Sequence, residues 1–283
     1  MIEQKQNKSH LVSIIIPCYN DAQFIEQAIN SAKNQTYPNK EIIVIDDGSN
    51  IETKRVLKSL ESKISKLITQ ENRGQSAARN VGITQAKGDY IMVLDSDDYF
   101  ESSFCEKAMS VFLDNKEVKI ISSLVNRVID NKIIDIFKPN GGNIQEFILN
   151  NEATGSCMFL KSEWIKVDGY DESMSKGFED WEFYIRLLKH GGIAYIIQEP
   201  LFYYRLRIDS TTSRANKVKY DLLKYIYIKH TEIYKNNFDL FISHLLNRIE
   251  REEREKTKNT QRLEFKIGKT ILKPFRWIKS YLR

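Results

Sequence analysis

The chain has 283 residues, 41% of them hydrophobic and 29% charged, which is typical of a globular protein large enough for one sizeable α/β domain and an appendage. The formal net charge is +5, but the segment from Arg262 to Arg283 alone holds seven basic residues and one acidic residue. The rest of the chain is therefore close to neutral, which disfavours a nucleic-acid-binding body.

Targeting and redox signals are few. Residues 1–10 are polar and lack the apolar centre of a signal peptide, so we expect a polar N-terminal tail. No stretch approaches the ~18 apolar residues that a membrane-spanning helix needs. The three cysteines, Cys18, Cys105 and Cys157, are odd in number and scattered, which favours a reducing, cytoplasmic environment over a disulfide framework or a metal site.

The first hundred residues alternate between two patterns. Short apolar, β-branched runs predict buried strands, and stretches with apolar residues at helical spacing predict helices between them. The predicted strands are 11–17, 41–45, 64–69 and 90–94, and the predicted helices are 24–32, 52–61 and 75–86. This order predicts an α/β fold with a doubly wound, mostly parallel sheet and helices on both faces.

Three of these strands end in polar residues, PCYN at 17–20, DDGS at 46–49 and DSDD at 95–98. Parallel strands place their carboxyl ends along one edge, where such sheets bind ligands. The bunched carboxylates at 95–98 suit Mg²⁺ or Mn²⁺ bound by one or two of them. An Asp-rich turn that caps the next helix is the simpler alternative, and Asn20 or Asp21 can likewise cap the helix after the first strand.

The second hundred residues predict a helix at 102–115, a hairpin of strands 118–128 and 132–137, and a helix from 177 to about 190. Glu179 and Asp180 lie in the first turn of the last helix. There the helix dipole favours ionised carboxylates by ~0.3–1 kcal/mol, which would keep their pKa low. Two acids that merely decorate a helix start are the alternative.

The end of the chain has a different pattern. It is helical and increasingly charged from 216 to 256, and 265–283 is basic and amphipathic. Such a segment suits the surface of an anionic membrane. The alternatives are a terminal helix docked on the body and a seam between the copies of a homodimer. The apolar stripe of the last segment consists of Ile267, Ile271, Phe275, Ile278 and Leu282.

Five motifs follow in order: IIIPCYN (14–20), VIDDGS (44–49), NRG with AARN (72–80), LDSDD (94–98) and EDW (179–181). The ordered set resembles the family 2 inverting glycosyltransferases of bacterial cell-surface polysaccharide synthesis, which have the GT-A fold. The resemblance implies a GT-A domain at 11–213, with a nucleotide-binding half (11–100) and an acceptor and catalytic half (101–213). Residues 214–283 would form a C-terminal helical extension with a basic amphipathic end.

The resemblance also implies which residues bind the nucleotide. Pro17 and Tyr19 would line the base pocket, with the tyrosine ring packing on uracil. Asp47 would accept a hydrogen bond from the uracil ring N–H. Gly74 and Arg79 would lie beside the nucleotide, the arginine near the base or the phosphates.

The remaining roles concern the diphosphate and the reaction. Asp95 and Ser96 would reach the ribose, and Asp97 would ligate the Mn²⁺ or Mg²⁺ that bridges the diphosphate. Asp180 resembles the family's catalytic base, which removes the proton of the acceptor hydroxyl. The residues assigned to acceptor or loop contacts are Gly155, Ser156, Glu179, Trp181, Arg205 and Arg207.

Two departures from the family pattern are visible. Many relatives carry a histidine two residues past Arg205, where this chain has Arg207. A guanidinium can pair with a diphosphate, but it cannot ligate a metal ion as an imidazole can. The chain also lacks the Q-x-x-R-W stretch and the spanning helices of processive synthases, which favours the addition of one sugar per encounter.

The resemblance therefore implies a metal-dependent transferase that moves a hexose or hexosamine from a UDP-sugar to a hydroxyl of a lipid-linked surface glycan. It would act peripherally at the inner face of the plasma membrane. Two other classes share part of the pattern. A receiver-like signalling module also has paired acids after an early strand, but it is too short to explain residues 130–283. A sugar-phosphate nucleotidyltransferase usually has a Gly-rich first loop where this chain has PCYN.

Overall fold

A computed structural model of the chain describes residues 10–208, 210–265, 267–268 and 270–272. Over these residues it contains a nine-stranded sheet whose strands are connected by helices and loops. The strands are β1 (Val12–Cys18), β2 (Lys40–Asp47), β3 (Lys66–Gln70), β4 (Tyr90–Val93), β5 (Tyr99–Phe100), β6 (Val118–Ile129), β7 (Lys132–Phe137), β8 (Met158–Leu160) and β9 (Ile193–Arg205). The helices are α1 (Ile25–Lys33), α2 (Ile51–Leu60), α3 (Gln75–Gln85), α4 (Phe104–Asp114), α5 (Ile144–Phe147), α6 (Lys161–Lys166), α7 (Glu179–Leu188), α8 (Thr211–Lys217), α9 (Lys219–Lys229), α10 (Thr231–Asn236) and α11 (Phe238–Gln261).

The strand order is β3-β2-β1-β4-β8-β6-β9-β5, with β7 paired to β6. The first four of these strands are parallel, which confirms the predicted α/β arrangement of the first hundred residues. The other half is mixed, because β8 runs antiparallel between β4 and β6 while β9 runs parallel to β6. The carboxyl ends of β1, β2 and β4 therefore lie along one edge.

Helices cover both faces of the parallel half. Alternate residues of a strand face opposite sides of a sheet; Ile14 and Ile16 pack in one core with Ile25 of α1, and burial of each such side chain contributes ~1.5–3 kcal/mol. On the other face lies Ile15, and a Cβ added to Gly82 of α3 would come within 2.6 Å of its Cγ2. Glycine thus lets α3 lie close on the sheet, as its small residues predict.

The sequence patterns predicted the β6–β7 hairpin but neither β8 nor β9. The hairpin is confirmed, and its turn residues Asp130 (φ 48°) and Asn131 (φ 62°) are both left-handed, as tight hairpin turns require. In contrast, β8 has three residues and hence no periodicity. The apolar pattern of β9 is interrupted around Pro200, where its register against β6 also shifts.

The chain divides into two compact units, the first ending at Thr231 and the second beginning at Glu232. The predicted boundary at 213 and 214 falls inside the first unit. The reason is that α9 buries Leu222, Leu223 and Ile226.

In the second unit, α11 is amphipathic and has no buried residue. Exposed apolar residues continue beyond it, at Leu263, Phe265, Ile267 and Ile271. The rest of the predicted terminal stripe, Phe275, Ile278 and Leu282, lies outside the described residues. Across the part of the chain that the structure describes, no helix combines the length and apolarity needed to cross a membrane.

Candidate active site

The carboxylate at the end of β2 holds the loop that precedes α3. Asp47 Oδ1 accepts hydrogen bonds from the backbone N–H of Arg73 (2.9 Å) and from Gln70 Nε2 (2.7 Å), and Oδ2 accepts from the backbone N–H of Gly74 (2.9 Å). Asp47 is 2% exposed. Its first role in the structure is therefore to fix this loop, and its predicted bond to a uracil ring stays a prediction.

The carboxylate after β4 joins three segments. Asp95 Oδ1 accepts from Arg79 Nη2 and from Gln75 Nε2, both at 2.7 Å. The backbone N–H of Asp95 donates to Ser156 Oγ at 3.1 Å. These bonds connect the carboxyl end of β4 to α3 and to the loop before β8.

Arg79 is a buried cation between two acids. Its side chain is 1% exposed, its second terminal nitrogen Nη1 lies 2.8 Å from Glu179 Oε1, and its guanidinium lies over the ring of Tyr170. This arrangement leaves almost no guanidinium surface for a nucleotide. The contact with base or phosphate that the resemblance implies stays a prediction, and the observed contacts are those of a positioning residue.

The first turn of α7 presents Asp180. The backbone reverses at Phe178, which has φ of 63°, and Asp180 then accepts from the backbone N–H of Trp181 (2.8 Å) and from Asn151 Nδ2 (2.9 Å). Burial raises the pKa of Glu179 to about 7 and also raises the pKa of Asp180, with Arg79 opposing both shifts. The predicted low pKa is therefore wrong, because loss of hydration outweighs a helix dipole worth ~0.3–1 kcal/mol.

Gly155 lies beside several of these groups. A Cβ added to it would lie 3.5 Å from Asp180 Oδ2, 3.5 Å from Arg79 Nη2 and 3.8 Å from Asp95 Oδ2. The carboxylates that follow β4 and begin α7 thus face one small space. The strand-edge argument placed Asp95 at this edge, but it did not include Asp180, which comes from a helix in the second half of the domain.

A second charged group contains Asp97, two residues after Asp95. Arg207 Nη1 donates to Asp97 Oδ2 (2.9 Å) and to Asp21 Oδ1 (2.8 Å), while Asp21 Oδ2 accepts from Ser96 Oγ (2.6 Å). Burial raises the pKa of Asp97 to about 6, the charges of Asp21 and Asp95 add to the rise, and Arg207 opposes it. The Ser96 side chain is buried and its hydroxyl donates to Asp21. Its predicted contact with ribose stays a prediction.

Arg205 fixes the neighbouring backbone. Its own N–H donates to Asp98 Oδ1 (2.8 Å), its Nε donates to the carbonyl of Asp97 (2.9 Å), and its Nη2 donates to Gln27 Oε1 (2.8 Å). The guanidinium also lies over the ring of Phe24. Of the two predicted roles, acceptor or loop contact, these bonds favour the loop contact.

The carboxylates near Asp97 are the type of ligand that a hard divalent ion binds. In the described ranges, no group of three or more His, Cys, Asp or Glu side chains is arranged to hold a metal ion. Asp97 nevertheless has the carboxylates of Asp95 and Asp21 near enough to raise its pKa. Such a site matches Mn²⁺ or Mg²⁺ held by one or two carboxylates, with water and ligand oxygens completing the shell.

Other predicted residues differ in accessibility. Tyr19 is 50% exposed at the end of β1, whereas Pro17 is buried in that strand. Trp181 is 7% exposed and its Nε1 donates to the carbonyl of Phe147 at 2.6 Å. Trp181 therefore has little surface to offer an acceptor, and it anchors α7 to α5.

Three residues of the site were missed by the sequence patterns. Asp21 carried a weak signal, since it directly follows PCYN, but it was assigned only to helix capping. Instead, α1 begins after Phe24 without a side-chain cap, and the Asp21 carboxylate pairs with Arg207. Gln75 and Asn151, which hold Asp95 and Asp180, had no sequence signal.

The sequence was compared with protein-family models and with known proteins. Residues 13–162 match the sequence model described as Glycosyl transferase family 2. An uncharacterized glycosyltransferase of Rickettsia prowazekii is 35% identical over 75% of this chain and 69% of its own length. The hyaluronan synthase of Pasteurella multocida is 30% identical over 86% of this chain, but the match covers only 24% of that enzyme.

Two solved structures share the fold. S. aureus TarS 1–349 in complex with UDP-GlcNAc has a TM-score of 0.63 and 20% identity, with 77% of this chain and 65% of that chain covered. The mannosyltransferase PcManGT from Pyrobaculum calidifontis, in complex with GDP-Man and Mn²⁺, has a TM-score of 0.59 and 15% identity over 92% of this chain and 83% of its own. These likenesses confirm the predicted GT-A fold.

Proposed function

The chain belongs to glycosyl transferase family 2, and on that premise we propose that it transfers a hexose or hexosamine from a UDP-sugar to a glycan hydroxyl, with inversion at the anomeric carbon. The observation that carries the proposal is that Asp95 and Asp180 come together beside Gly155, where an added Cβ would lie 3.8 Å and 3.5 Å from their Oδ2 atoms. A donor at the carboxyl ends of the parallel strands would have its sugar between these two groups.

The nucleotide would bind over the loops after β1 and β2. Tyr19 is exposed there, and its ring is free to pack on uracil above Pro17. Asp47 would shape the pocket by fixing the backbone of Gly74, and its carboxylate would be the acceptor for the uracil ring N–H. The UDP-GlcNAc complex of the TarS neighbour supports a uridine donor, whereas the GDP-Man complex of PcManGT makes guanosine the alternative to test.

Positive charge is needed beside the diphosphate. Mn²⁺ or Mg²⁺ held by Asp97 would offset the charge that develops on the leaving UDP. Arg207, on the loop after β9, supplies a second cation there and pairs with the diphosphate. Asp95 and Ser96, which precede Asp97 in the chain, would lie on the ribose side.

Asp180 would act as the general base. Its carboxylate is oriented by Asn151 and by the backbone N–H of Trp181, and burial moves its pKa closer to neutrality. The acceptor oxygen forms a bond to the anomeric carbon while the bond from that carbon to UDP breaks. The hydroxyl proton passes to Asp180, so the chain needs no covalent intermediate.

The acceptor would be a surface glycan carried on a lipid, extended by one sugar per encounter at the cytoplasmic face of the membrane. The hyaluronan synthase relative supports a polysaccharide acceptor. The basic segment from Arg262 to Arg283 and the exposed apolar residues within it support contact with an anionic surface.

Calorimetry with UDP, in the presence and absence of Mn²⁺, tests the proposal. We expect UDP to bind more tightly with Mn²⁺ and to bind more tightly than GDP. A screen of donor hydrolysis across UDP- and GDP-sugars then identifies the sugar. Absence of UDP binding, or tighter binding of a nucleoside triphosphate, would contradict the proposal.

A further inference from the structure

Arg207 makes an unusual double contact. A single nitrogen, Nη1, lies 2.8 Å from Asp21 Oδ1 and 2.9 Å from Asp97 Oδ2. The two acids come from different loops, one after β1 and one after β4. The guanidinium also lies over the ring of Phe24, 4.9 Å from its centroid. The side chain is thus held in place by charge on one side and by an aromatic face on the other.

The two arginines of this segment have different partners. Arg205 directs its guanidinium to neutral groups, the carbonyl of Asp97 and the side-chain oxygens of Gln27 and Asn131. Arg207 directs its guanidinium to carboxylates. Within the described part of the chain, it is the cation that forms ion pairs with Asp21 and Asp97. The guanidinium of Arg207 therefore already offsets part of the negative charge beside Asp97 in the protein on its own.

We propose that Arg207 is an internal counter-ion that occupies the cation position of the donor site and competes there with a divalent metal ion. This inference rests on the proposed function, because that function requires Asp97 to hold the metal. A metal ion and a guanidinium repel each other at one carboxylate oxygen, so a metal ion that binds Asp97 Oδ2 displaces Arg207 from that oxygen. The donor's diphosphate gives the displaced guanidinium a new partner.

Competition of this kind has a measurable consequence. By linkage, any change that stabilises the ion pair between Arg207 and Asp97 lowers the affinity of the site for the metal ion by the same free energy. The metal alone should bind weakly to the wild-type protein and more tightly once Arg207 is removed. A residue that simply supported the site would have the opposite effect, because its removal would lower the affinity for the metal ion.

Titration of Mn²⁺ without nucleotide, followed by the electron paramagnetic resonance of free Mn²⁺, tests the inference on the full chain. We expect the dissociation constant of Arg207→Ala to be at least about fivefold lower than that of the wild type. Arg207→Gln, whose aliphatic stem can still pack on Phe24, should behave likewise, and Arg207→Lys should be intermediate. The matched control is Arg127→Ala, which removes an exposed pair with Asp135 and should bind Mn²⁺ like the wild type.

The inference is overturned if folded Arg207 variants bind Mn²⁺ no more tightly than the wild type, including the case in which none binds it measurably. Circular dichroism identifies the folded variants. One folded variant, Arg207→Ala or Arg207→Gln, is enough for the test. Titration of the wild type with UDP and Mn²⁺ separates the two proposals. If UDP fails to bind, the proposed donor is wrong. If UDP binds but the Arg207 variants show no gain in Mn²⁺ affinity, only the counter-ion role of Arg207 is wrong.

Discussion

Arg79 Nη1 donates to Glu179 Oε1 at 2.8 Å, and this buried bond joins α3 of the first half to the first turn of α7. The other terminal nitrogen of Arg79 holds Asp95 at the end of β4. One guanidinium thus connects two parts of the candidate site. Asp95 would lie on the donor side, and Asp180, next to Glu179, would lie on the acceptor side.

Removal of Arg79 should destabilise the protein. Arg79→Met keeps the length of the side chain but leaves Asp95 and Glu179 without their counter-charge, and loss of one partner from a buried ion pair costs about 3–5 kcal/mol. Urea denaturation measures the change in the free energy of unfolding. Arg127→Ala is the control, because its ion pair is 40% and 44% exposed and should be worth less than ~1 kcal/mol. A loss below that value for Arg79→Met would contradict the role assigned to it.

Asp180→Asn should separate binding from catalysis. The amide keeps the shape of the side chain but cannot accept the hydroxyl proton, so the transfer rate should fall by roughly 10²–10⁴-fold. Calorimetry should give an unchanged affinity for UDP. Asp135→Asn, in the exposed hairpin, should keep the wild-type rate. Near wild-type transfer by Asp180→Asn would end the assignment of this residue as the base.

Asp97→Asn should remove the metal dependence of donor binding. The amide is a weaker ligand for a hard divalent ion than a carboxylate, so the affinity for UDP should become similar with Mn²⁺ and with a chelator. The measurement is a pair of UDP titrations for the variant and for the wild type. A variant whose UDP affinity still rises with Mn²⁺ would show that other groups hold the metal.

Glu182 should make stability depend on pH. Burial alone would raise the pKa of this carboxyl, but hydrogen bonds from His230, Arg186 and Lys229 outweigh it and lower the pKa to about 2. As pH falls, Glu182 is therefore protonated at a higher pH in the unfolded chain than in the folded protein. The group's contribution, about 3 kcal/mol for a shift of this size, is therefore full above pH ~4.5 and is lost towards pH ~2.

Glu182→Gln tests this assignment. At pH 7 the variant should be less stable than the wild type by about 3 kcal/mol, and the difference should shrink as pH falls from ~4.5 to ~3. Urea denaturation at several pH values gives both quantities. A difference that stays constant down to pH 3 would mean that Glu182 acts through packing and not through its charge.

The terminal segment should attach the protein to anionic vesicles. Each basic residue near such a surface contributes ~1 kcal/mol at most, and seven lie between Arg262 and Arg283. In flotation at low salt, the full chain should rise with anionic vesicles and a chain that ends at Thr260 should not. Neutral vesicles and high salt are the controls. Equal flotation of the two chains would remove the idea.

Several features could be predicted from the sequence because they depend on local order. The repeat of apolar residues in 11–17 and 24–32 is enough to indicate strand and helix, and the parallel connection then puts Asp47 and Asp95 at one edge. The ordered motifs led to the right family, and family membership removes the receiver-like module and the nucleotidyltransferase as alternatives. The irregular β9 could not be predicted, since its pairing with β6 compensates for a broken pattern.

The sequence by itself determined the order of strands and helices in the first half, and it determined which acids follow the strands. These properties arise from side-chain periodicity and from residues close together in the chain. Only the tertiary structure decided that Arg79 is buried between Asp95 and Glu179, that Arg207 bridges Asp21 and Asp97, and that burial raises the pKa of Asp180. Ion pairing and desolvation depend on groups that the fold brings together from distant parts of the chain, and no local pattern records those distances.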